Sequence, residues 1–231
     1  MTNTGPSLLS GNLGLYPGSS ITGFTPRVVT NGSMYVGNGV AMTAQADALA
    51  GYTLLKGRAP NQVLTGQDLG GMLLTPGVYF FASSAQLTGA LTLDFQGVNN
   101  ADVVFQIGST LTTASGSTVN IIHQGLNDNV YYQIGSSATL GTGSTLQGDL
   151  LANTSITLTT GADITCGSAI ALNGAVTLDT NRITNCSTTG SDVTPVGGSS
   201  TASPVPEPDT FGLLATGLLG AAGAFRRRFA A

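Results

Sequence analysis

Threonine recurs at regular intervals in the second half of the chain. Residues 109–113, 138–142, 156–160 and 176–180 align to give one column of leucines and one of threonines: Leu111, Leu140, Leu158 and Leu178, and Thr110, Thr139, Thr157 and Thr177. The last two steps are 18 and 20 residues, and this period predicts a solenoid whose repeats bury their apolar side against their neighbours. The threonines would stand about 4.8 Å apart on a stacked sheet. Their hydroxyls could hold water there, and their β-branched methyl groups could restrain it.

Groups suited to acid–base or metal chemistry are scarce. Charged residues make up 8% of the chain, against about 25% in a typical soluble domain. Asp149, Asp163 and Asp179 are close in repeat order but occupy different columns, whereas a β-helix enzyme such as a polysaccharide lyase needs clustered carboxylates or a base in a groove. We therefore expect no enzyme, no cofactor and no metal site, and we interpret His123 as a surface strand residue. The net charge is −4 and no basic patch is present, which argues against nucleic acid as a partner.

The two cysteines, Cys166 and Cys186, are separated by 20 residues, which equals the last repeat step. They should therefore lie on adjacent turns, at a strand spacing of about 4.8 Å that falls within the Cα range of about 4.4–6.8 Å for a disulfide. The spacing predicts a disulfide, which would place the protein in an oxidising compartment. The alternative is two small buried residues.

Residues 38–56 predict one long helix. Asn38 can cap its start, and helical spacing places on one face Ala41, Ala44, Ala48, Tyr52 and Leu55. This alanine-rich stripe allows close docking on a flat sheet. Residues 7–36 and 61–186 are instead short extended pieces separated by turns. The sequence predicts one mainly β domain over residues 1–186.

The C-terminal part has a different composition. Residues 187–204 are rich in Ser, Thr, Gly and Pro and predict a flexible linker. Residues 205–231 contain Pro206, Glu207 and Pro208, an apolar run over 211–225, and Arg226, Arg227 and Arg228. The run predicts a short hydrophobic helix below the roughly 20 residues of a full membrane span, followed by a basic cluster that prefers the cytoplasmic side. No signal peptide is visible at the N-terminus.

The order of several motifs resembles the ice-binding protein family of bacteria, fungi and algae. Over residues 2–184 these motifs are Thr2-Asn3-Thr4-Gly5-Pro6, Gly11-Asn12-Leu13-Gly14, Pro17-Gly18, the Ala-rich helix, Leu69-Gly70-Gly71, Thr75-Pro76-Gly77-Val78-Tyr79, Phe105-Gln106-Ile107-Gly108-Ser109 and Asn173-Gly174-Ala175-Val176-Thr177-Leu178-Asp179. The resemblance implies a right-handed β-helix of triangular section, with a long α-helix along one face and a flat, Thr-, Ser- and Ala-rich face that adsorbs to ice. The family domain usually begins with a strand before the Thr2–Pro6 motif, so we expect an unpaired edge of the β-helix here.

Residues 205–231 resemble the bacterial Pro-Glu-Pro C-terminal sorting signal, which has the same three parts in the same order. The resemblance implies transient insertion in the inner membrane, cleavage near Pro206–Pro208 by an exosortase-type enzyme, and release to the cell envelope or extracellular matrix. Export is thus implied for a protein that we expect to be a monomer.

Ice has no charges and no pocket, so a protein that holds it needs a flat surface with many small contacts. We predict that this surface comprises Thr110, Thr112, Thr139, Thr142, Thr157, Thr159 and Thr177. The next candidate is the following strand layer, with Thr145, Gln147, Asp163 and Thr165, which is more polar. The alternative function is a structural or adhesive protein of the extracellular matrix, because outward threonine also suits strands that bind nothing.

Overall fold

The computed structural model describes residues 1–24 and 28–186. Within them the chain forms one α-helix, α1 (Gly39–Lys56), and 22 β-strands. The strands are β1 (Thr2–Thr4), β2 (Leu8–Ser10), β3 (Leu13–Leu15), β4 (Val29–Thr30), β5 (Met34–Val36), β6 (Gln62–Val63), β7 (Leu73–Leu74), β8 (Gly77–Phe81), β9 (Ala85–Leu87), β10 (Ala90–Asp94), β11 (Asp102–Ile107), β12 (Leu111–Thr113), β13 (Thr118–Ile122), β14 (Asn129–Ile134), β15 (Ala138–Leu140), β16 (Thr145–Gln147), β17 (Asp149–Ala152), β18 (Ile156–Leu158), β19 (Asp163–Thr165), β20 (Ala169–Ala171), β21 (Val176–Asp179) and β22 (Arg182–Thr184). The predicted linker, Pro-Glu-Pro segment, hydrophobic helix and arginine cluster lie outside the described residues.

The strands stack into parallel sheets because each circuit of the chain visits three sheets in the same order. The first sheet has the order β1-β21-β18-β15-β12-β9, the second β4-β2-β22-β19-β16-β13-β10-β7, and the third β20-β17-β14-β11-β8-β6. A small fourth sheet joins β3 and β5. The predicted mainly β architecture with parallel strands and a single helix is confirmed for the described part of the chain.

The N-terminal strands close one end of the stack. β1 pairs with β21, the last strand of the first sheet in chain order, and β2 pairs with β22 in the second sheet. A bridge from Thr2 to Thr22, and the pairing of β2 with β4, add one further circuit beyond. The Thr2–Pro6 motif supplies a strand, β1, that is paired on both sides. The unpaired edge that we expected lies in the third sheet, where β20 pairs with β17 alone among the described residues.

The core is a column of inward side chains, and it corrects one part of the repeat alignment. Leu140 pairs with Leu158, and the register between β18 and β21 continues this row to Leu178. Leu111 is also buried but pairs with Ala138, which lies in the neighbouring inward row. Because side chains alternate along a strand, an error of two residues keeps Leu111 inward and is invisible in the apolar pattern.

Aromatic rings fill the wider circuits. Phe105 pairs with Tyr132, so residues 105–109 and 132–136 occupy equivalent positions on neighbouring circuits. The Phe105 ring lies 5.0 Å from the Tyr132 ring and 5.7 Å from the Tyr79 ring, centroid to centroid. Such offset stacks stabilise the core beyond the area they bury.

Helix α1 covers the third sheet. The Asn38 side chain caps the helix by accepting a hydrogen bond from the Ala41 N–H at 3.0 Å. Ala41, Tyr52 and Leu55 are buried, whereas Ala44 is exposed, contrary to expectation. Gln45 takes part in the contact instead, donating from Nε2 to the Leu172 carbonyl at 2.6 Å. The buried stripe is thus rotated slightly, and the helix leaves the first and second sheets uncovered.

The last two circuits are joined by a disulfide between Cys166 and Cys186, whose Cα atoms lie 4.3 Å apart. The two cysteines follow β19 and β22, which are neighbours in the second sheet. Within residues 1–24 and 28–186, no helix is both long and apolar enough to cross a membrane.

Candidate functional site

A row of six threonines runs along the outside of the first sheet, one on each of six successive circuits. Strand pairing joins Thr2 to Thr177, Thr177 to Thr157, Thr157 to Thr139 and Thr139 to Thr112, and the Thr2–Thr22 bridge extends the row. We call this set the threonine row: Thr22, Thr2, Thr177, Thr157, Thr139 and Thr112. Neighbouring members are about 4.8 Å apart, the spacing of paired strands. Beyond Thr112 the same line continues through Gln86 to Asp68.

Small residues flank the threonine row on both sides. The residues two positions before the members of this line form one flanking row, and the residues two positions after them form the other. The first contains Ser84, Thr110, Ser137, Ser155 and Ala175, and the second contains Thr88, Ala114, Gly141, Thr159, Asp179 and Thr4. The first sheet thus presents three adjacent rows without a long flexible side chain on the circuits from Thr112 to Thr2.

Hydrogen bonding distinguishes the threonine row from its flanks. The Thr159 hydroxyl donates to the Leu140 carbonyl at 2.7 Å, and the Thr4 hydroxyl donates to the Leu178 carbonyl at 3.1 Å. In the first flanking row the Thr110 hydroxyl donates to Ser84 Oγ at 2.9 Å. Among the described residues, no hydroxyl of the threonine row has a hydrogen-bond partner. These six hydroxyls are therefore available to solvent.

Asp179 is the one charged side chain on the three rows between Thr112 and Thr2. Both of its carboxylate oxygens are engaged: Oδ2 accepts from the Thr160 hydroxyl at 2.5 Å, and Oδ1 accepts from the Thr180 hydroxyl at 3.2 Å. These hydrogen bonds hold the charge at the margin of the sheet, beside the turn into the second sheet.

Glycines form the turns from the first sheet to the second. Gly143 and Gly161 have φ angles of +63° and +67°, in the left-handed region that favours glycine. This conformation explains the Thr-Gly-x-Thr spacing of Thr142–Thr145. Thr142 follows β15 of the first sheet, Gly143 makes the turn, and Thr145 is the first residue of β16 in the second sheet. The Thr142 hydroxyl lies 3.4 Å from that of Thr159 on the next circuit.

The predicted site residues are brought onto one sheet but not into one row. Thr112, Thr139, Thr157 and Thr177 lie in the threonine row, Thr110 and Thr159 lie in opposite flanking rows, and Thr142 lies in the adjoining turn. The equivalence of Thr110 with Thr139 is thus wrong by two residues, for the same reason as Leu111. Thr2 and Thr22 were missed, although Thr2-Asn3-Thr4 repeats the Thr-x-Thr spacing of Thr157 and Thr159.

The second sheet is the other uncovered surface, and it is rougher and more charged. Its outward residues include Asp163, Arg182 and the exposed Leu73. At one margin the Asp94 carboxylate lies 2.9 Å from His123 Nδ1, and hydrogen bonds from His123 and the Gln96 N–H lower the pKa of Asp94. His123 is exposed, as expected, but it follows β13 in a bend rather than lying within the strand.

The three carboxylates considered for catalysis are far apart in the fold, because Asp149, Asp163 and Asp179 belong to the third, second and first sheets. Asp149 accepts a hydrogen bond from the Ser168 hydroxyl at 2.6 Å, and burial raises its pKa. In the described part of the chain, no group of three or more His, Cys, Asp or Glu side chains is arranged to hold a metal ion.

Comparison with known proteins gives consistent results. Residues 1–184 match the family described as "Ice-binding-like", and residues 204–228 match the "PEP-CTERM protein-sorting motif". An ice-binding protein of Nostoc sp. (strain HG1) is 53% identical over 230 residues, which cover 99% of this chain and 82% of that protein. Ice-binding protein 1 of Shewanella frigidimarina is 31% identical over 214 residues, which cover 79% of this chain and 24% of that protein.

Solved structures show the same similarity. The crystal structure of an ice-binding protein from the Antarctic ascomycete Antarctomyces psychrotrophicus matches with a TM-score of 0.73 at 34% identity, covering 79% of this chain and 89% of that one. An ice-binding protein from an Antarctic Flavobacteriaceae bacterium matches with a TM-score of 0.75 at 31% identity, covering 88% of this chain and 46% of that one.

Proposed function

This chain belongs to the ice-binding protein family, and we propose that it adsorbs to ice through the threonine row and the two rows beside it. The observation that carries the choice of surface is the row of six threonine hydroxyls without a protein partner among the described residues. Each can hold a water at the spacing of paired strands, about 4.8 Å. Many such contacts, each weak, add up only if the surface is flat over several circuits.

The other surfaces suit this role less well. The third sheet is covered by α1, which packs on it through Tyr52 and Leu55. The second sheet carries Asp163 and Arg182 at its surface, and their hydration shells would compete with an ordered water layer. The first sheet has neither obstacle, and the one charge on its three rows between Thr112 and Thr2, Asp179, lies at the margin and accepts hydrogen bonds from two threonine hydroxyls.

Substitution of Thr157 tests the proposal. Thr157 lies in the middle of the threonine row, so Thr157→Tyr should remove most of the thermal hysteresis by lifting the surface from the ice. Thr157→Ser removes only a methyl group and should cost less. Thr165→Tyr is the matched control, because Thr165 lies on the same circuit but faces out of the second sheet.

The comparison between the two tyrosine variants identifies the face. If Thr157→Tyr retains full hysteresis while Thr165→Tyr loses it, the second sheet binds ice and our choice is wrong. If the unsubstituted chain neither depresses the freezing point nor shapes ice crystals, a structural or adhesive role in the extracellular matrix would replace ice binding.

We also propose how the protein reaches its place of action. The sorting motif indicates an exported protein, and its apolar run and arginine cluster would anchor the chain transiently in the inner membrane until an exosortase-type enzyme cleaves near Pro206–Pro208. Release to the envelope or extracellular matrix as a monomer would leave the first sheet uncovered. We further infer a right-handed coil, the hand of about 98% of parallel crossover connections.

A further inference from the structure

A cleft of about 310 Å³ lies beside α1 on the helix-covered side of the molecule. Its floor is formed by Phe80, Gln106 and Gln133, which pair in register on three successive strands of the third sheet. One wall is the helix, through Tyr52 and Lys56, and the other is the corner near Asn153. We call this the helix cleft.

Gln133 is the unusual residue in the helix cleft. Only 3% of its surface is exposed, its side-chain amide has no hydrogen-bond partner among the described residues, and its amide atoms open to the cleft instead of being sealed within the protein. The neighbouring Gln106 is satisfied differently, because its Nε2 donates to the carbonyls of Leu55 and Arg58 at 2.7 Å each and so fastens the end of α1. The two N–H groups and the oxygen of an amide normally have partners, so an unpartnered amide that opens only into the cleft points to a ligand there.

The chemistry of the lining narrows the class of ligand. The Gln133 amide offers a donor and an acceptor side by side, which suits neighbouring hydroxyl groups. Phe80 offers an apolar ring that can pack against C–H groups. Lys56 is a cation at the wall, and no carboxylate lines the cleft, so a negative charge is favoured and a metal ion is not.

We propose that the helix cleft binds a single sugar ring that carries a carboxylate, the uronic-acid class. Gln133 hydrogen-bonds the ring hydroxyls, Phe80 packs against the ring, and Lys56 pairs with the carboxylate. The cleft lies beside α1 at the corner that leads from the third sheet to the first, but it contains no residue of the threonine row or of its two flanking rows. Sugar binding and ice binding can therefore fail independently of each other.

The test is a titration of the full chain with D-glucuronate, followed through the side-chain amide signals of glutamine by NMR. Saturable shifts of the Gln133 amide are expected. Gln133→Leu should weaken binding by about tenfold, the loss expected for one or two hydrogen bonds. Lys56→Gln should weaken glucuronate binding but leave the weaker binding of methyl glucoside unchanged.

Controls separate a ligand site from a structural effect. Gln133→Leu replaces an amide that has no hydrogen-bond partner in the described part of the chain by an apolar side chain of similar size, so its melting temperature should not fall and its thermal hysteresis should be unchanged. Gln124→Leu, at an exposed position between β13 and β14, should bind glucuronate like the unsubstituted chain. Absence of saturable binding, or equal binding by Gln133→Leu, would show that the cleft holds only water and would overturn the proposal.

Discussion

Threonine can serve the first sheet in two ways, and the hydrogen bonds separate them. In the flanking rows, Thr159 and Thr4 donate their hydroxyls to backbone carbonyls of the neighbouring circuit, which fixes the side chain and supports the stack. In the threonine row the hydroxyls have no such partner within the described residues. Because β-branching restricts the rotamers of all of them, the exposed hydroxyls are held in position without a ligand, and on the proposed ice-binding surface little conformational entropy would be lost on adsorption.

Asp149 gives a pH-dependent prediction at the level of one residue. Burial raises the pKa of its carboxyl in the folded chain, although hydrogen bonds from Ser168 oppose the rise. Between about 3.9, the ordinary pKa of aspartate, and the raised value, the folded chain binds more protons than the unfolded chain. The free energy of unfolding therefore falls as pH rises through this window, and the cost of the buried charge is complete above it.

Asp149→Asn should remove that cost while its amide oxygen still accepts from Ser168. We expect a melting temperature a few degrees higher at pH 7, with the difference from the unsubstituted chain vanishing below about pH 4. Asp47→Asn, which removes the same charge from an exposed position on α1, should show no comparable difference. A lower melting temperature for Asp149→Asn at pH 7 would mean that the ionised carboxylate stabilises the fold.

Among the secondary-structure elements, those with a local sequence pattern were predicted correctly, whereas strand pairings between distant parts of the chain were not. Asn38 and the spacing of Ala41, Tyr52 and Leu55 were sufficient to place α1, because capping and helical periodicity are local. The pairing of β1 with β21 joins residues about 175 apart in the chain, such as Thr2 and Thr177. Such a pairing falls outside the period of about 20 residues, so the two N-terminal circuits and their threonines were missed, although Thr2-Asn3-Thr4 repeats the local Thr-x-Thr spacing.

The assignment of faces was limited for a related reason. Alternation identifies outward residues on every strand, but which sheet α1 covers depends on where the chain crosses the stack. Gln45, Tyr52 and the Gln106 contact with the helix end decide this in the structure. Without these contacts, only the difference in charged side chains distinguished the first sheet from the second as the candidate ice-binding face.

The N-terminal circuit supplies a prediction about the extent of the ice-binding surface. Thr22 ends the threonine row through its bridge to Thr2. Thr22→Tyr should therefore reduce thermal hysteresis, but by less than Thr157→Tyr, because an obstacle at the end of the row spares the contact of the other circuits. Thr30→Tyr is the matched control, since Thr30 lies on the same circuit in the second sheet.

Full hysteresis in Thr22→Tyr, together with a loss in Thr157→Tyr, would place the end of the surface before the outermost circuit. Equal losses in Thr22→Tyr and Thr30→Tyr would instead indicate that the N-terminal circuit is disturbed as a whole. Circular dichroism and melting curves for both variants distinguish that outcome from a local obstacle.

The disulfide between Cys166 and Cys186 yields a second prediction for the elements. It joins the ends of β19 and β22, so it limits the separation of the last two circuits. In exported material, thiol counting under denaturing, non-reducing conditions should find no free thiol. Cys166→Ser should lower the melting temperature, whereas reduction should have no further effect on that variant. Two free thiols in envelope-derived protein would refute the bridge.

Over the described residues, the molecule is a stack of circuits braced by α1. With 18 residues, α1 is about 27 Å long, enough to run past about six strands. It contacts β3 and β5 near one end and β11 and β14 further along. This brace links circuits that are formed by distant parts of the chain.

Removal of the C-terminal tail tests whether this stack is complete without it. The last described strand, β22, is not an edge, because it pairs with β19 on one side and β2 on the other. The linker beyond it is nearly free of large apolar residues and can add little to the core. Deleting residues 190–231 should therefore change the melting temperature by less than about 2 °C, equivalent to less than about 1 kcal/mol for a domain of this size, and should leave thermal hysteresis intact.

The control is a chain shortened only by residues 226–231, which keeps the apolar run but loses the arginine cluster. A large drop in melting temperature in the longer deletion alone would mean that the run over 211–225 packs on the folded domain, and its role as a membrane signal would then have to be abandoned.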